Sequence, residues 1–217
     1  MKLNLKYNFL TIYNLLLKKF GPQNWWPGDS REEIIIGAIL TQNTNWKNVE
    51  KSISKLKSNN LIDFSHLAKI NEQKLAEIIR SSGYYNQKAR RLKLVTDFFT
   101  SHPLQVLDNI PTTLLRKDLM AIKGIGPETA DSILLYAFNR PVFVIDAYTE
   151  RIFNRLGFWD KEMSYKDAQS LLMENLEPDV KLFNEFHALL VKLGKEYCKK
   201  IPQCFQCELQ TMCAYIK

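Results

Sequence analysis

Apolar residues recur at helical spacing along almost the whole chain, and this periodicity constrains the fold more than any other feature of the sequence. It predicts helices over residues 7–20, 30–41, 45–57, 72–82, 86–100, 111–121, 127–138, 146–156, 164–175 and 180–197. Glycine and proline separate these segments, for example at Gly21-Pro22 and Ser82-Gly83. The strand-like run at residues 142–145 is too short to imply a sheet. We therefore predict an all-α protein built from many short helices.

Composition bounds the size of the core and the kind of partner. The 217 residues suffice for a sizeable core in one domain or in two small lobes. Hydrophobic residues make up 46% of the chain and charged residues 24%, which is typical of a globular protein and argues against disorder. The net charge of +7 favours a polyanionic partner, nucleic acid or an anionic membrane, with a merely soluble basic protein as the alternative.

The apolar stretch at residues 8–17 superficially resembles a signal peptide. Asn8 and Asn14 interrupt it, however, and Lys18-Lys19-Phe20 stands where a cleavage site would need small residues. No run in the sequence approaches the roughly 18 apolar residues that a membrane-spanning helix needs. We expect a cytoplasmic protein that does not bind a membrane.

All four cysteines lie in one short C-terminal segment, with the spacing C-x5-C-x2-C-x5-C: Cys198, Cys204, Cys207 and Cys213. Four thiolates in so short a loop can surround one inorganic centre, and thiolate suits soft metals and iron–sulfur clusters. Two disulfides are not expected where no secretion signal is recognised. Zinc sites with four cysteines usually contain two C-x2-C pairs, and only Cys204 and Cys207 form one here. The spacing favours a [4Fe–4S] cluster, with structural zinc as the alternative.

Two glycines, Gly124 and Gly126, precede Pro127, a residue that suits the first position of a helix. Glycine permits left-handed backbone angles and close approach of another chain. The amides at a helix N-terminus bind anions, most often phosphate. This pattern predicts a phosphate-binding turn, although many ordinary helix–turn–helix junctions also carry G-x-G.

Asp146 follows an apolar run and stands where the next helix should begin. Its simplest role is that of an N-cap, which stabilises a helix by about 1 kcal/mol.

Taken together, Gly124-Ile125-Gly126-x-x-Thr129-Ala130, the V-I-D run ending at Asp146 and the four-cysteine loop resemble the helix-hairpin-helix DNA glycosylases related to endonuclease III. The likeness runs from about Glu33 to Cys213. It implies two helical lobes with the active site between them. Residues 30–138 would form a central helical barrel that carries the hairpin. Residues 1–29 and 139–217 would form a second helical domain that ends in the [4Fe–4S] loop.

By this resemblance, Gly124, Ile125, Gly126 and Thr129 hold DNA phosphate and Asp146 is the catalytic carboxylate. Cleavage of an N-glycosidic bond builds positive charge on the deoxyribose, which a carboxylate stabilises while it orients or deprotonates water. Glu128 stands where bifunctional members of the family carry a lysine, and a carboxylate cannot form a Schiff base. We expect a monofunctional enzyme with water as nucleophile and with Glu128 facing a cationic base.

The resemblance also implies that the damaged nucleotide is flipped out of the duplex and that Gln42 and Tyr84 fill the gap. For each of them the alternative is a helix-end residue without a partner. Four cations follow on the next helix and could form a phosphate-facing strip or a merely solvated helix face: Lys88, Arg90, Arg91 and Lys93.

Tryptophans suggest which base is removed. Trp25, Trp26, Pro27 and Trp46 could form a flat apolar pocket that selects a cationic ring by stacking and cation–π attraction. Together with L-T-Q-N-T and S-G-Y-Y-N-Q-K-A-R-R-L, they resemble the bacterial 3-methyladenine glycosylases of the same superfamily. Alternatively, the tryptophans plug the seam between the lobes.

Two departures from these families bear on the prediction. The first gap between cysteines is one residue shorter than is usual in endonuclease III, and the 3-methyladenine branch need not carry the cysteine loop at all. Other functions therefore stay open: a glycosylase for mismatched thymine or uracil, a bifunctional glycosylase–lyase that uses a lysine such as Lys123, or a non-catalytic protein that binds DNA damage. A monomer on double-stranded DNA is the expected assembly.

Overall fold

The computed structural model describes residues 8–216 and is helical throughout. Its α-helices are α1 Phe9–Phe20, α2 Arg31–Leu40, α3 Trp46–Ser58, α4 Phe64–Lys69, α5 Glu72–Ile78, α6 Tyr85–Ser101, α7 Leu104–Leu107, α8 Thr112–Ala121, α9 Pro127–Phe138, α10 Ala147–Leu156, α11 Tyr165–Glu174 and α12 Val180–Glu196. Short 3-10 turns cover Arg80–Ser82, Cys204–Gln206, Gln210–Met212 and Ala214–Ile216. None of the described residues forms a strand, and the predicted all-α class is confirmed. Over the same residues, no helix is long and apolar enough to cross a membrane.

The predicted helices are present, with two differences. The segment predicted at 72–82 divides into α5 and a 3-10 turn, which ends at Gly83 with a φ of 66°. Helices α4 and α7 were not predicted, because six and four residues are too few to show a helical period. Residue 7, the predicted start of the first helix, lies outside the described residues.

Polar side chains determine where most of the helices begin. In eight helices the residue before the first turn accepts a hydrogen bond from a first-turn amide: Asn8, Ser30, Asn45, Asp63, Asn71, Asp146, Ser164 and Asp179. Each such cap stabilises its helix by about 1 kcal/mol. Helix α9 differs, because it begins after Gly126 with Pro127 in its first turn and has no side-chain cap.

The chain divides into two compact units: Met1–Trp25 with Pro141–Lys217, and Trp26–Arg140. We call the first the terminal unit and the second the central unit. In the central unit, α2 packs on α3, α6 and α9. Its residues Ile35, Ile36, Ile39 and Leu40 are completely buried. The C-terminal end of α2 is thereby fixed, and so is the loop that follows it.

Aromatic rings form the core of the terminal unit. The ring of Phe143 lies 5.4 Å from that of Phe183 and 5.7 Å from that of Phe186, while Phe153 lies 6.2 Å from Phe186. All four side chains are fully buried. Because Phe143 precedes α10, Phe153 lies on α10 and the other two lie on α12, this cluster fixes the start of α10, where Asp146 stands.

Candidate active site

The hairpin between α8 and α9 leaves backbone amides open. Gly124 has a φ of 92°, a left-handed conformation that glycine adopts without strain, whereas Gly126 has an ordinary φ of −92°. A Cβ built on Gly126 would meet no atom within 4 Å. Ile125, between the two glycines, is buried and anchors the turn. The uncapped first turn of α9 can therefore receive an anion.

Arg91 of α6 packs against this turn. A Cβ on Gly124 would lie 2.5 Å from Arg91 Nε and 2.9 Å from its Cδ. This close packing, in addition to the left-handed backbone, favours glycine at position 124. Arg91 Nη1 also donates a hydrogen bond to Gln42 Oε1. The charge of Arg91 therefore lies beside the hairpin, held by contacts within the central unit.

Gln42 joins the same network. Its Nε2 donates to the carbonyl oxygen of Gly124 at 3.2 Å and to Thr129 Oγ1 at 2.9 Å. Gln42 is thus not a helix-end residue without a partner, which was the alternative to a role in DNA binding. The structure brings together three of the predicted DNA-binding residues, Gln42, Gly124 and Thr129, with Arg91 as a fourth member.

Tyr84 lies at the start of α6 in a left-handed conformation with a φ of 45°, and the residue is 66% exposed. Gly83 before it has a φ of 66°, and Asn43, next to Gln42, has a φ of 53°. Both loops that carry a predicted gap-filling residue therefore contain left-handed backbone. Such conformations persist only where surrounding contacts hold them.

The four cations of α6 that could have formed a phosphate-facing strip differ in their surroundings, and two of them bind carbonyl oxygens of the protein. Lys88 is buried, and its Nζ donates to the carbonyl oxygens of Leu40 and Ser82, so its assignment as a DNA-binding residue is wrong. Lys93 donates to the carbonyl oxygens of Leu67, Ala68 and Ile70 at the end of α4. Arg90 stays exposed and pairs with Glu72 at 3.1 Å. Helical polarity alone could not distinguish a lysine that caps a neighbouring helix from one that faces solvent.

An aromatic cavity of about 200 Å³ lies in the central unit. Trp26, Pro27 and Trp46 line it, and the ring of Trp26 lies 5.3 Å from that of Trp46 in an edge-to-face arrangement. Gly37 lets Trp26 pack closely against α2, because a Cβ there would be 3.0 Å from Trp26 Cζ2. Three of the four predicted pocket residues therefore share one cavity, while Trp25 belongs to the terminal unit.

Two residues that support this cavity were missed in the sequence. The ring of Tyr136 lies 5.2 Å from that of Trp26. Gly37 is a glycine in the middle of the apolar helix α2, and a glycine in such a place indicates close approach of another group. Glu33 and Glu50 add carboxylates to the lining, although Lys57 pairs with Glu33 at 2.9 Å.

In the terminal unit, Asp146 is the N-cap of α10. Its Oδ1 accepts hydrogen bonds from the amide of Thr149 at 2.8 Å and from Thr149 Oγ1 at 2.9 Å. Its side chain is 14% exposed, and the second oxygen, Oδ2, lies 3.7 Å from His187 Nε2. One oxygen is thus committed to the helix, and the other lies beyond hydrogen-bond distance of the imidazole.

His187 was not predicted as a site residue. Burial lowers its pKa below the ordinary 6.5, although the charge of Asp146 acts in the opposite direction, and Lys195 lowers it further. The imidazole is therefore neutral at pH 7, and it does not cancel the charge of Asp146. Burial also raises the pKa of Glu150, one turn further along α10, and the charge of Asp146 adds to that effect.

Glu128 lies in the first turn of α9 and is exposed. A carboxylate in this position interacts favourably with the helix dipole. The side chain of Glu128 is therefore accessible from outside the central unit.

The four cysteines are free thiols that line one cavity in the terminal unit. Burial raises the pKa of Cys207, a hydrogen bond with the backbone of Leu209 lowers it, and the neighbouring Cys198, Cys213 and Cys204 raise it further. Arg155 Nη1 donates to Cys198 Sγ at 3.3 Å and to the carbonyl oxygen of Lys199 at 2.7 Å. Across residues 8–216, no three His, Cys, Asp or Glu side chains are placed so that they could hold a single metal ion.

Known proteins resemble this chain over most of its length. The family model described as HhH-GPD superfamily base excision DNA repair protein matches residues 36–178. A Methanocaldococcus jannaschii protein named a DNA repair glycosylase is 44% identical over 206 residues, 93% of this chain and 94% of the relative.

Solved structures agree with that match. The H. pylori 3-methyladenine DNA glycosylase MagIII, bound to 1,N6-ethenoadenine, has a TM-score of 0.77 and 30% identity, covering 88% of this chain and 98% of that one. A non-covalent endonuclease III–DNA complex has the same fold, with a TM-score of 0.84 at 22% identity, over 99% of this chain and 97% of that one. The chain therefore belongs to the HhH-GPD superfamily of base excision DNA repair proteins, and it is a DNA glycosylase.

Proposed function

We propose that the protein is a monofunctional glycosylase that hydrolyses the N-glycosidic bond of an alkylated purine, such as 3-methyladenine, in double-stranded DNA. The observation that carries this proposal is the placement of Asp146, with one oxygen fixed by the cap of α10 and the other left for chemistry. It acts as a monomer, which holds the duplex through the hairpin.

Asp146 would stabilise the positive charge that develops on the deoxyribose as the bond between C1′ and the base nitrogen breaks. The departing base takes the bonding electrons, and water adds to C1′. The proton that water loses passes to the carboxylate, the general base of the reaction. His187 supports this role, because a neutral imidazole leaves the carboxylate charge intact.

Glu128 supports monofunctional chemistry. A strand-cleaving member would need an amine at this position to form a Schiff base with the sugar, and a carboxylate cannot do so. Its exposure in the first turn of α9 is compatible with a position beside a flipped, cationic base. Strand cleavage by this route should therefore be absent.

The aromatic cavity around Trp26 supports the choice of an alkylated purine. Indole faces attract cationic rings, and a base that is already cationic leaves without strong acid catalysis. MagIII, which is 30% identical and is named a 3-methyladenine glycosylase, points in the same direction. Gln42 and Tyr84 would fill the gap that the flipped nucleotide leaves.

The donor set fits a [4Fe–4S] cluster held by Cys198, Cys204, Cys207 and Cys213. All four cysteines are free of disulfides and line one cavity, and cysteine thiolates are the usual ligands of iron–sulfur clusters. The cluster would organise the loop that contains Lys199 and Lys200, so that this loop can face phosphate. Brown protein with iron and sulfide is expected, whereas zinc without sulfide would contradict the proposal.

Base release from methylated duplex DNA tests the function. Free 3-methyladenine should appear while the strand stays intact until alkali is added. A panel of duplexes with mismatched thymine, uracil or other alkylated purines runs in parallel. Release of thymine or uracil alone would contradict the proposed alkylated-purine substrate. Borohydride trapping of enzyme on DNA would contradict the monofunctional mechanism.

A further inference from the structure

The ammonium of Lys88 is buried where two loops meet. Its Nζ donates to the carbonyl oxygen of Leu40 at 2.9 Å and to that of Ser82 at 2.6 Å, and 1% of the residue is exposed. Leu40 is the last residue of α2, and Ser82 is the last residue of the 3-10 turn before α6. One side chain therefore binds the ends of two separate elements.

Each of these carbonyls precedes a predicted gap-filling residue by two positions: Leu40 precedes Gln42, and Ser82 precedes Tyr84. Left-handed backbone follows both anchor points, at Asn43 in the first loop and at Gly83 and Tyr84 in the second. Because left-handed conformations of residues other than glycine are strained, they need support from surrounding contacts. Lys88 supplies a common support to both loops.

We propose that Lys88 is a positioning residue that fixes the spacing of the Gln42 and Tyr84 loops, so that both enter DNA together at the damaged site. This inference rests on the proposed function, in which these two residues fill the gap. Lys88 itself does not touch DNA, because its side chain is buried beneath the loops.

The chemistry of the amine suits this role. Burial lowers the pKa of Lys88 to about 8, and the charge of Arg91 acts in the same direction. A neutral amine still has two N–H donors, as many as the carbonyl oxygens that it binds. The two loops therefore stay linked whether or not the side chain is protonated.

The chain contains a matched control on the same helix. Lys93 also lies on α6 and also donates to the carbonyl oxygens that end a helix, those of α4. Lys88→Met and Lys93→Met remove the same donor and keep a similar stem. Only the first change should affect the Gln42 and Tyr84 loops.

Hydrogen exchange in the free protein tests the link without reference to activity. In Lys88→Met, amides 41–44 and 83–86 should exchange faster together, by about 10-fold or more, because each carbonyl oxygen left without its donor destabilises its loop. Lys93→Met should leave both loops as in the wild type. Faster exchange in one loop only, or in neither, would overturn the proposal. If Lys88→Met does not fold, the same exchange experiment is done with Lys88→Gln, because its shorter amide cannot span both carbonyl oxygens. Faster exchange in both loops would again support the proposal, and faster exchange in one loop or in neither would overturn it.

Affinity for DNA tests the consequence. The ratio of affinities for a duplex with a stable abasic analogue and for an undamaged duplex should fall about 10-fold in Lys88→Met, while affinity for undamaged duplex stays within about twofold. An unchanged ratio would overturn the role of Lys88 in damage recognition. If the wild type itself shows no preference for the abasic duplex, the gap-filling proposal fails, whereas the exchange experiment still decides the link.

Discussion

Helices α9 and α10 begin in opposite ways, and the difference matches the roles proposed for them, phosphate binding at α9 and catalysis at α10. Helix α9 starts after Gly126 with no side-chain cap, which leaves its first-turn amides open to an anion from outside. Helix α10 starts at Asp146, whose own carboxylate occupies the same kind of position. The same backbone feature is thus an open anion site in the central unit and a holder for an acid in the terminal unit.

The cap of α10 also explains how a carboxylate with 14% of its side chain exposed can be oriented without being neutralised. Thr149 holds one oxygen of Asp146 through two neutral donors, and the nearest imidazole is uncharged at pH 7. A salt bridge would have fixed the carboxylate equally well, but it would have cancelled the charge that the proposed reaction needs.

The largest expected effect comes from removing the charge of Asp146 while its cap is kept. Asn is as good an N-cap as Asp, so Asp146→Asn should fold normally and bind DNA. We expect single-turnover base release to fall by roughly 10³-fold, because the electrostatic stabilisation is lost. Asp179→Asn, the same change at the cap of α12, is the control and should release base normally. Full activity in Asp146→Asn would show that base release does not need the charge of Asp146.

Giving α9 an acidic N-cap like that of α10 should weaken DNA binding. Gly126→Asp places a carboxylate on the open amides, where it caps the helix and repels phosphate. We expect the affinity for duplex DNA to fall by about 10-fold while the melting temperature is unchanged or higher. Gly126→Ala is the control, since its Cβ meets no atom within 4 Å. Equal affinities for the Asp and Ala variants would show that phosphate does not bind there.

Gly124→Ala should instead act through stability. The added Cβ would collide with Arg91, and the left-handed backbone at 124 is unfavourable for alanine. We expect a loss of about 1–3 kcal/mol in the free energy of unfolding, measured in urea. Gly126→Ala again serves for comparison, with a change within about 0.5 kcal/mol. A similar loss in both variants would mean that glycine is no more important for stability at position 124 than at position 126.

The smallest expected effect concerns pH and His187. Its folded pKa lies below the unfolded value of 6.5, so the unfolded chain binds more protons in the window between the two. Stability should therefore fall as pH drops below about 6.5, and His187→Gln should flatten that dependence. Chemical unfolding at several pH values from 5 to 8 measures it. Parallel curves for wild type and variant would show that His187 is not buried in its neutral form.

The residues that determine how α9 and α10 begin can be recognised in the sequence. Gly124, Pro127 and Asp146 are local signals, because a left-handed turn, a first-turn proline and an N-cap each depend on a few neighbouring residues. The helical period supplies most helix bounds in the same way, and short helices such as α4 escape it.

Partners that are distant in sequence were not predicted. Lys88 looks like part of a polar helix face, and only the fold shows that carbonyls from two separate segments meet at its ammonium. Burial likewise makes His187 neutral, and close packing explains Gly37 beneath Trp26. Each of these depends on tertiary contacts, which periodicity and propensity do not encode.

Binding of a cationic sugar analogue tests most directly whether Asp146 stabilises positive charge at the reacting sugar. Duplexes carrying a pyrrolidine cation or a neutral tetrahydrofuran at the same position would be compared by equilibrium titration. The wild type should prefer the cation by about 100-fold, and Asp146→Asn should lose that preference. No preference in the wild type, or an equal preference in both proteins, would contradict this role for Asp146.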